Sequence, residues 1–348
     1  MSEKLTYRSS GVDIDEAARA LRGVADRIDA STNDAVIAGI GGFGALFRSP
    51  NGEAPLLVSS IDGIGTKTKV AAMVGDYSGL GADIVNHCVN DILCQGARPL
   101  FFLDYFGCSK ISPAIFDLVV GGMADACCAV GCAMIGGETA EMPGVYLDEE
   151  IDIVGTIVGV VEEEMRLPRT ELLPGDAVIG IAASGLHTNG FSLARKALFE
   201  VGGLSVRDTI PALGTTIGAE LLKVHRSYFG AVYPLLQDPD LQENRAIRAL
   251  AHLTGGGFHD NIPRVLGRDR RVMIERRSWT PLPIFELIQE IGGVSTDEMF
   301  RAFNMGIGMV MMVDPPSASA LVQRLNEAGE SAAVIGEVLE GHPEVVVV

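Results

Sequence analysis

The sequence predicts a protein of two domains, residues 1–165 and 172–348, that both mix helices and strands as α/β or α+β layers. Three observations favour this fold class. The chain has 348 residues, and single domains usually hold roughly 100–200. Short apolar runs of strand length alternate with segments of helical periodicity in both halves. Between the halves, Glu162–Asp176 is charged, contains two prolines and lacks apolar periodicity, so we place the boundary there.

The first half begins with a helix predicted over Asp13–Asp29, where apolar residues at helical spacing form one stripe. A second helix is predicted over Gly81–Gln95, because Gly96 follows it as a stop signal. A third begins after Ser112, a typical N-cap residue followed by proline, and ends at Gly131. Strands are predicted at Leu56–Ser60, Leu100–Phe106, Cys132–Gly136 and Asp152–Val161.

The second half alternates in the same way. Ala177–Ala182 is an apolar run of strand length, and Gly190–Val201 has the spacing of a helix. Leu253–Leu266 is typical of a glycine-rich turn that leads into a helix. The remaining predicted elements are the strands Arg271–Glu275, Gly308–Val313 and Ala332–Leu339 and the helices Leu282–Ile291 and Ala318–Ala328.

The composition narrows the class of function. A net charge of −18 excludes nucleic-acid binding through a general phosphate field, and no basic amphipathic helix suits a membrane surface. The first ten residues are polar, without the apolar segment of a signal peptide. Four cysteines lie in apolar, helix-like contexts and are predicted to be small buried side chains in a reducing cytoplasm: Cys88, Cys94, Cys127 and Cys128.

A glycine-rich stretch, Gly39–Gly44, fits the spacing of a dinucleotide-binding fingerprint. That fingerprint should open a helix, whereas Ala45–Gly52 stops within a few residues. Two other interpretations stay open: a loop that closes over a ligand, and a plain structural turn. The candidate binding residues are Gly41, Gly42, Phe43 and Gly44.

The segment Asp62–Lys67 follows a predicted strand. Gly63 and Gly65 allow the backbone to approach a ligand, Thr66 and Lys67 can donate to phosphate, and the Asp62 carboxylate can hold a metal ion. The order of residues is not that of a Walker A loop. The alternative is a tight turn at Asp-Gly.

Two further groups of carboxylates suggest a Mg²⁺ site. Asp91 falls at the edge of the apolar face of its predicted helix, where a carboxylate is costly unless paired or bound to metal; Asn90 can add an oxygen. Glu138 and Glu141, with Thr139 between them, are predicted to lie in a loop after a strand, which suits Mg²⁺. The alternatives are an Asp satisfied by backbone N–H groups and solvated loop acids.

A second anion site is predicted where Ser184–Ser192 leads into a helix, because N–H and hydroxyl donors converge at a helix N-terminus. The turn Thr254–Gly257 repeats this pattern, and in both places the alternative is an N-cap cluster. His252 and His259 are weak candidates. The residues proposed to bind the second phosphate are Ser184, Gly185, His187, Thr188, Asn189, Thr254, Gly255 and Gly256.

Several of these strings carry a family resemblance. Asp91–Pro99 is similar to a signature shared by ATP-using enzymes that include selenophosphate synthetase and thiamine-monophosphate kinase. Within that group, the order of motifs resembles the phosphoribosylformylglycinamidine cyclo-ligase family from about residue 5 to the C-terminus. The strings are Tyr7 with Gly11–Asp15, Gly41–Ala45, Asp62–Lys67, Gly136–Gly144, Ser184–Gly190, His252–Phe258, Asn261–Arg264 and Phe303–Met309.

The resemblance implies an enzyme that closes formylglycinamidine ribonucleotide to aminoimidazole ribonucleotide with ATP, in purine biosynthesis. It also implies an N-terminal α/β domain, whose sheet pairs with that of a second copy in a homodimer, and a C-terminal α+β domain. Asp62, Asp91 and Glu138 would hold Mg²⁺ and the ATP phosphates, Lys67 would contact the transferring phosphate, and His187 is the first candidate for the general base. A selenophosphate synthetase would normally carry a reactive cysteine in its N-terminal loop, whereas the first cysteine here is Cys88. A nucleotide sensor would not need clustered acids.

Overall fold

The structure is a computed structural model that describes residues 5–16, 18–20, 22, 30, 33–38, 42–49, 55–168 and 172–348. Two mixed sheets of six described strands each form its framework, one on either side of the segment Glu162–Asp176, and two further short strands pair only with each other. The strands are β1 Val36–Ala38, β2 Ala45–Phe47, β3 Leu56–Gly63, β4 Arg98–Cys108, β5 Ala133–Glu141, β6 Ile151–Val161, β7 Ala177–Ala182, β8 Thr209–Ile210, β9 Thr215–Thr216, β10 Ile247–His252, β11 Arg270–Ile274, β12 Ile307–Val313, β13 Ala332–Glu340 and β14 Val345–Val347.

Helices cover both sheets, and among the described residues no helix has the length and apolarity needed to cross a bilayer. The α-helices are α1 Lys67–Val74, α2 Leu80–Leu93, α3 Pro113–Ala129, α4 Phe191–Arg195, α5 Ile217–Leu221, α6 Phe229–Leu236, α7 Pro239–Glu243, α8 Gly257–Asn261, α9 Pro283–Gly292, α10 Thr296–Ala302 and α11 Pro315–Glu327. Single turns of 3₁₀ helix lie at Arg8–Ser10, Glu163–Met165 and Ile262–Val265, and a π-helix at Lys196–Val201.

The N-terminal sheet has the strand order β1-β2-β3-β6-β4-β5. Its described pairs are antiparallel except β4 with β5. In register across the sheet, Asp62 pairs with Gly155, Gly155 with Asp104, and Asp104 with Gly137. Strand β5 is therefore an edge strand that lies three strand spacings away from Asp62.

Helix α2 lies on this sheet at unusually close range because glycines face it. A Cβ on Gly155 of β6 would lie 2.8 Å from Ile84, and a Cβ on Gly81 would lie 2.1 Å from the carbonyl oxygen of Val119 in α3. Glycine thus lets α2 pack against both the sheet and α3. The apolar face of α2, with Ile84, Val85, Cys88 and Ile92 fully buried, fixes the direction in which its polar face points.

The C-terminal sheet has the strand order β10-β12-β7-β13-β11-β14. Strand β12 is buried along its whole length, as expected for an apolar strand in the middle of a covered sheet. The largest apolar cluster surrounds this sheet and also takes in Val70, Leu93 and Cys94 from the N-terminal half. The two halves therefore share buried surface beside α2. The division into domains at 1–165 and 172–348 stays a prediction.

Most predicted elements are confirmed within a few residues, but two predictions are wrong. In addition, strand β3 runs on through Asp62 and Gly63, which excludes the alternative of a tight turn there. Gly136–Glu141 is not a loop, because it continues β5 beside β4. Cys128 is exposed rather than buried, since it faces outward near the end of α3.

The predicted helix Asp13–Asp29 is helical at residues 14–16, 18–20 and 22, and its other positions lie outside the described residues. Gly190–Val201 is helical but changes from α to π geometry at Lys196. The elements that were not predicted are mostly short: β1, β2, α1, β8, β9, α5, α6, α7, β10, α10 and β14.

Candidate active site

Helix α2 presents a row of polar residues to the C-terminal half. They recur at spacings of three and four and so share one face of the helix: Asp83, Asn86, His87, Asn90 and Asp91. Three of them bind the backbone of residues 225–228. Asp83 accepts from the His225 N–H at 2.7 Å, Asn86 donates to the His225 carbonyl at 2.7 Å, and Asn90 accepts from the Tyr228 N–H at 3.0 Å. This row holds the two halves together and leaves His87 and Asp91 beside strand β3.

Four side chains from both halves meet where β3 ends, and we call them the Asp–His cluster: Asp62, His87, Asp91 and His252. His87 Nε2 lies 2.8 Å from Asp62 Oδ2 and 3.8 Å from Asp91 Oδ2. His252 Nδ1 lies 2.8 Å from Asp91 Oδ1. Only the Asp62 side chain, 41% exposed, reaches solvent appreciably, so the cluster opens outward at Asp62.

Burial and charge act in opposite directions on these groups. Burial alone would lower the pKa of His87, but the carboxylates of Asp62 and Asp91 outweigh it and raise that pKa to about 9. Burial would raise the pKa of Asp62, yet the charge and hydrogen bond of His87 hold it below its usual value. For His252, burial lowers the pKa even though Asp91 opposes the shift. At neutral pH the cluster therefore holds one imidazolium between two carboxylates.

Thr188 and His225 support the two imidazoles of the cluster from behind. Thr188 Oγ1 lies 2.7 Å from His87 Nδ1 and 3.3 Å from His225 Nδ1. His225 Nε2 lies 3.0 Å from His252 Nε2. Each cluster histidine thus has a polar partner on the nitrogen that faces away from its carboxylate, which fixes the orientation of the ring.

His187 does not occupy the position expected of a general base. Its side chain is 1% exposed, its ring stacks on His225 at 4.0 Å, and its Nε2 accepts from the Ser184 N–H at 3.2 Å. Burial, with neighbouring positive groups, lowers its pKa well below the usual value. His187 is therefore buried and packed against His225 rather than exposed, and its role as a general base stays a prediction.

Lys67 likewise lies away from open space. Its side chain is fully buried, with Nζ 2.8 Å from Asp83 Oδ2 and 2.8 Å from the Lys223 carbonyl oxygen. Burial lowers its pKa, while the Asp83 charge opposes that shift. The amine is saturated by partners from both halves. The amine therefore joins residues of the two halves here, and its contact with a transferring phosphate stays a prediction.

Glu138 is not brought to Asp62 and Asp91 within one chain. It lies on edge strand β5, paired with Tyr105, and three strand spacings of about 4.8 Å separate β5 from β3, or roughly 14 Å. Thr139 is exposed on the same strand, and the Glu141 carboxylate accepts from the Ile111 N–H at 2.7 Å. A single chain thus does not bring Glu138 to Asp62 and Asp91, and a cation site at those two carboxylates stays a prediction.

The two turns predicted to form the second anion site lie next to each other. The turns Ser184–Asn189 and Thr254–Gly256 are adjacent, because a Cβ on Gly255 would lie 3.2 Å from Asn189 Oδ1. Asn261 organises the second turn by donating to the carbonyls of Thr254, Gly255 and Gly257. In the first turn, Ser184 Oγ donates to the Val224 carbonyl, and Asn304 donates to that of Gly185.

Thr66 links the two predicted phosphate regions. Its Oγ1 lies 3.1 Å from Ser192 Oγ, at the start of α4. Gly65 precedes it with φ +62°, a conformation that glycine adopts without strain. Gly63 donates its N–H to Asp62 Oδ1 at 2.7 Å. The strand-to-helix connection after β3 therefore faces the Ser184–Asn189 turn across the boundary between the halves.

The glycine-rich loop is described from Gly42 onward, and Gly41 lies outside the described residues. Phe43 is buried, and the Arg264 guanidinium lies 5.1 Å from the centre of its ring. A Cβ on Gly44 would come within 3.0 Å of Val58. The loop thus packs against both halves, near the Asn261 turn.

Sequence patterns missed three members of this site: Asp83, His87 and His225. His87 stands four residues before Asp91, so helical spacing alone places both on one face. His252 was a weak candidate, and the structure gives it a direct bond to Asp91. No pattern signals His225, because only the folded chain brings residues 223–228 to α2.

Comparison with known proteins decides the family. The model of AIR synthase related protein, N-terminal domain, matches residues 17–161, and that of the C-terminal domain matches residues 174–348. The phosphoribosylformylglycinamidine cyclo-ligase of Thermoanaerobacter pseudethanolicus is 44% identical over 342 residues, covering 98% of this chain and all of that protein. This chain belongs to the phosphoribosylformylglycinamidine cyclo-ligase family. The cyclo-ligase of Brevibacillus brevis is also 44% identical, over 99% of this chain and 98% of its own length.

Solved structures share the cyclo-ligase fold at low sequence identity. Thiamine-monophosphate kinase from Stenotrophomonas maltophilia superposes with a TM-score of 0.61 at 19% identity, covering 93% of this chain and 95% of its own. PurL of T. maritima complexed with FGAR gives 0.57 at 17% identity, over 88% of this chain and 45% of that protein. These likenesses support the fold.

Proposed function

We propose that this chain catalyses the ATP-dependent ring closure of formylglycinamidine ribonucleotide, giving aminoimidazole ribonucleotide, ADP and phosphate in purine biosynthesis. The observation that carries the proposal is the full-length match to cyclo-ligases at 44% identity. The Asp–His cluster and the two facing turns, which lie between the halves, support a site for two phosphorylated ligands there.

The chemistry has two steps. The formyl oxygen of the substrate attacks the γ-phosphorus of ATP and ADP leaves, so that a poor leaving group becomes a phosphate ester. The amidine nitrogen then attacks the formyl carbon. Phosphate departs with the former formyl oxygen, and a proton is lost to give the five-membered ring. Catalysis of this kind depends mainly on positioning and on neutralising charge.

The first phosphate region, which consists of Asp62–Lys67 and Asp91, suits the ATP phosphates and a divalent cation. The carboxylates of Asp62 and Asp91 both face His87, and Ser60 Oγ donates to Asp91 Oδ2 at 3.1 Å, which orients that carboxylate. These two residues would hold Mg²⁺, which supplies positive charge to the phosphates when bound. Gly63, Gly65 and Thr66 would approach the phosphates through backbone and hydroxyl donors, with Gly42–Gly44 packed nearby.

The second phosphate region, which consists of the turns Ser184–Asn189 and Thr254–Gly256, suits the ribose phosphate of the substrate. This phosphate does not react. Ser184–Asn189 and Thr254–Gly256 offer backbone and side-chain donors without a metal. Binding energy from this phosphate would orient the reacting amide toward ATP.

A homodimer fits the exposed edge of the N-terminal sheet. Three apolar side chains are exposed along β5 and the loop after it: Ile135 at 59%, Val145 at 71% and Leu147 at 71%. Exposed apolar groups in one region favour an interface, and Glu138 and Thr139 lie at the same edge. The proposed setting is the cytoplasm.

The test is an assay of the purified chain with ATP, Mg²⁺ and formylglycinamidine ribonucleotide. We expect ADP and phosphate to appear in step with aminoimidazole ribonucleotide, and neither product without the ribonucleotide. ATP turnover without the ring product would favour a kinase of the same fold and contradict the proposal.

A further inference from the structure

Arg195 is a partly buried cation that no step of the proposed function uses. It is the last residue of α4, and its Nε is buried yet has no hydrogen-bond partner among the described residues. Within the same described ranges, no carboxylate forms an ion pair with its guanidinium. Acidic residues outnumber basic ones by 45 to 27 in this chain, so a shortage of acids does not explain the missing partner.

A contact between two hydroxyl groups shows which part of the chain this face of α4 meets. Ser192 Oγ lies 3.1 Å from Oγ1 of Thr66, the residue that precedes α1. Arg195 stands three residues after Ser192 and therefore lies on the same face of its helix. Lys69 stands three residues after Thr66 in the same way. The faces that carry Lys69 and Arg195 thus meet across the boundary between the halves.

Lys69 gives separate evidence that Arg195 lies at this boundary. Burial lowers the pKa of the Lys69 amine, and the positive charge of Arg195 lowers that pKa further. The amine also forms an ion pair with Glu150, so its charge is compensated within the chain. The guanidinium of Arg195 therefore carries the charge that remains available to a ligand here.

The space between α1 and α4 suits a phosphate group. Gly65 is exposed and Thr66 is half-buried, so a ligand can reach this connection from solvent. The contact between Thr66 and Ser192 uses one of their two hydroxyl protons, which leaves the other as a donor. A guanidinium can hold two oxygens of one phosphate through parallel N–H groups. Arg195 therefore has the chemistry that a phosphate ligand requires.

The position along the boundary indicates which phosphate Arg195 meets. Thr66 belongs to the first phosphate region, whereas Ser192 follows the turn Ser184–Asn189 of the second. A charge between these regions lies where a phosphoryl group passes from ATP to the ribonucleotide. Negative charge is spread over the oxygens of that group during transfer, and a guanidinium placed there stabilises the transition state more than the bound reactants.

We propose that Arg195 is a catalytic residue that contacts the phosphoryl group while it moves from ATP to the formyl oxygen. The guanidinium neutralises charge on the phosphoryl oxygens, and the contact between Thr66 and Ser192 keeps α1 and α4 together around it. The inference rests on the proposed function, because it concerns the same transfer.

The first test compares kcat with ligand affinity in Arg195→Ala. We expect kcat to fall by ~10³-fold, while calorimetry shows ATP and the ribonucleotide bound as tightly as in the parent chain. Arg207→Ala is the matched control, because Arg207 is exposed in the same half and its loss should leave kcat unchanged. A loss of ribonucleotide affinity at unchanged kcat would place Arg195 on the ribose phosphate and overturn the proposal.

Chemical rescue separates a direct contact from a structural role. Guanidinium ion added to Arg195→Ala should raise its rate, because the ion fits the space that the side chain leaves, and it should not affect Arg207→Ala. Arg195→Lys should recover only part of the rate, since an amine lacks the two parallel N–H groups. No rescue by guanidinium, with Arg195→Lys as impaired as Arg195→Ala, would refute the contact.

Nuclear magnetic resonance tests the contact in the unaltered chain. Arginine labelled at Nε with the heavy nitrogen isotope gives a resonance for Arg195 that is assigned by its absence from Arg195→Lys. We expect this resonance to shift when ADP, Mg²⁺ and aluminium fluoride are added, because the planar fluoride complex stands in for the transferring phosphoryl group. ADP and Mg²⁺ alone should leave it in place. A resonance that ignores the fluoride complex would contradict the proposal.

The two proposals can fail separately. Ring closure at the parent rate in Arg195→Ala would leave the proposed function standing and remove Arg195 from it. An Arg195 resonance that responds to the fluoride complex, in a chain that never forms the ring product, would contradict the proposed function and keep Arg195 as a phosphoryl ligand.

Discussion

Lys67 and Asp83 form a fully buried ion pair on the N-terminal side of the boundary between the two halves, with Lys67 Nζ 2.8 Å from Asp83 Oδ2. Lys67 starts α1 and Asp83 lies in α2, while Lys67 also donates to the Lys223 carbonyl and Asp83 accepts from the His225 N–H. The pair therefore ties both N-terminal helices to residues 223–225.

Removing one partner of this pair should destabilise the fold. Asp83→Asn leaves the Lys67 charge buried without its counter-ion, and such losses cost about 3–5 kcal/mol. We expect a clear fall in the free energy of unfolding measured with urea. The double variant Lys67→Met with Asp83→Leu should recover much of that loss, since it buries no charge. A single variant as stable as the parent chain would refute this account of the boundary.

Asp91→Asn should impair catalysis more than folding. The carboxylate bonds His252 and Ser60 and faces His87, so its charge contributes to both the cluster and the proposed cation site. We expect kcat/KM to fall by about 10²-fold or more, taking ~3 kcal/mol for a lost preorganised charge interaction. Asp125→Asn on the exposed face of α3 is the control. Comparable activity of the two variants would return Asp91 to a structural role.

Asn189→Ala should weaken the ribonucleotide far more than ATP. Asn189 lies beside Gly255, where the two turns of the second region meet, and it is more accessible than the buried His187. We expect ~10-fold weaker ribonucleotide binding, equal to about 1.4 kcal/mol, with ATP affinity preserved in calorimetry. Asn244→Ala, at an exposed site outside the region, should change neither. Loss of ATP affinity alone would mean that the two regions are assigned in the wrong order.

Ile135→Lys should dissociate the proposed homodimer. Ile135 is 59% exposed on edge strand β5, and a charge there opposes burial against a second copy. Sedimentation should show a dimer for the parent chain and a monomer for this variant. Val201→Lys is the matched control, because Val201 is 57% exposed but lies in the C-terminal half. This variant should remain a dimer. A parent chain that sediments as a monomer would exclude the interface.

The sequence predicts the framework well because its apolar periodicity is strong. Ala177–Ala182 is a strand over the predicted range, and the helix predicted at Gly81–Gln95 runs over Leu80–Leu93. Short elements such as α5 and α7 were missed because they are single turns fixed by tertiary contacts. The glycines of Gly136–Glu141 suggested a loop, whereas pairing with β4 overrides that local preference.

The candidate site was predictable only where its members are close in sequence. Asp91 stood out because a carboxylate at the edge of an apolar helical face requires a partner. That partner, His252, lies 161 residues away, and no spacing rule connects them. Lys67 suggested a phosphate contact by its place in a glycine-rich segment, but the helix that begins there turns its amine inward to Asp83.

The transfer of oxygen tests the central claim most directly. Formylglycinamidine ribonucleotide labelled with a heavy isotope at its formyl oxygen is turned over with ATP, and the phosphate released is analysed by mass spectrometry. Ring closure through a phosphorylated amide predicts one labelled oxygen in the phosphate for each aminoimidazole ribonucleotide formed. Unlabelled phosphate, or ADP formed without the ring product, would contradict it.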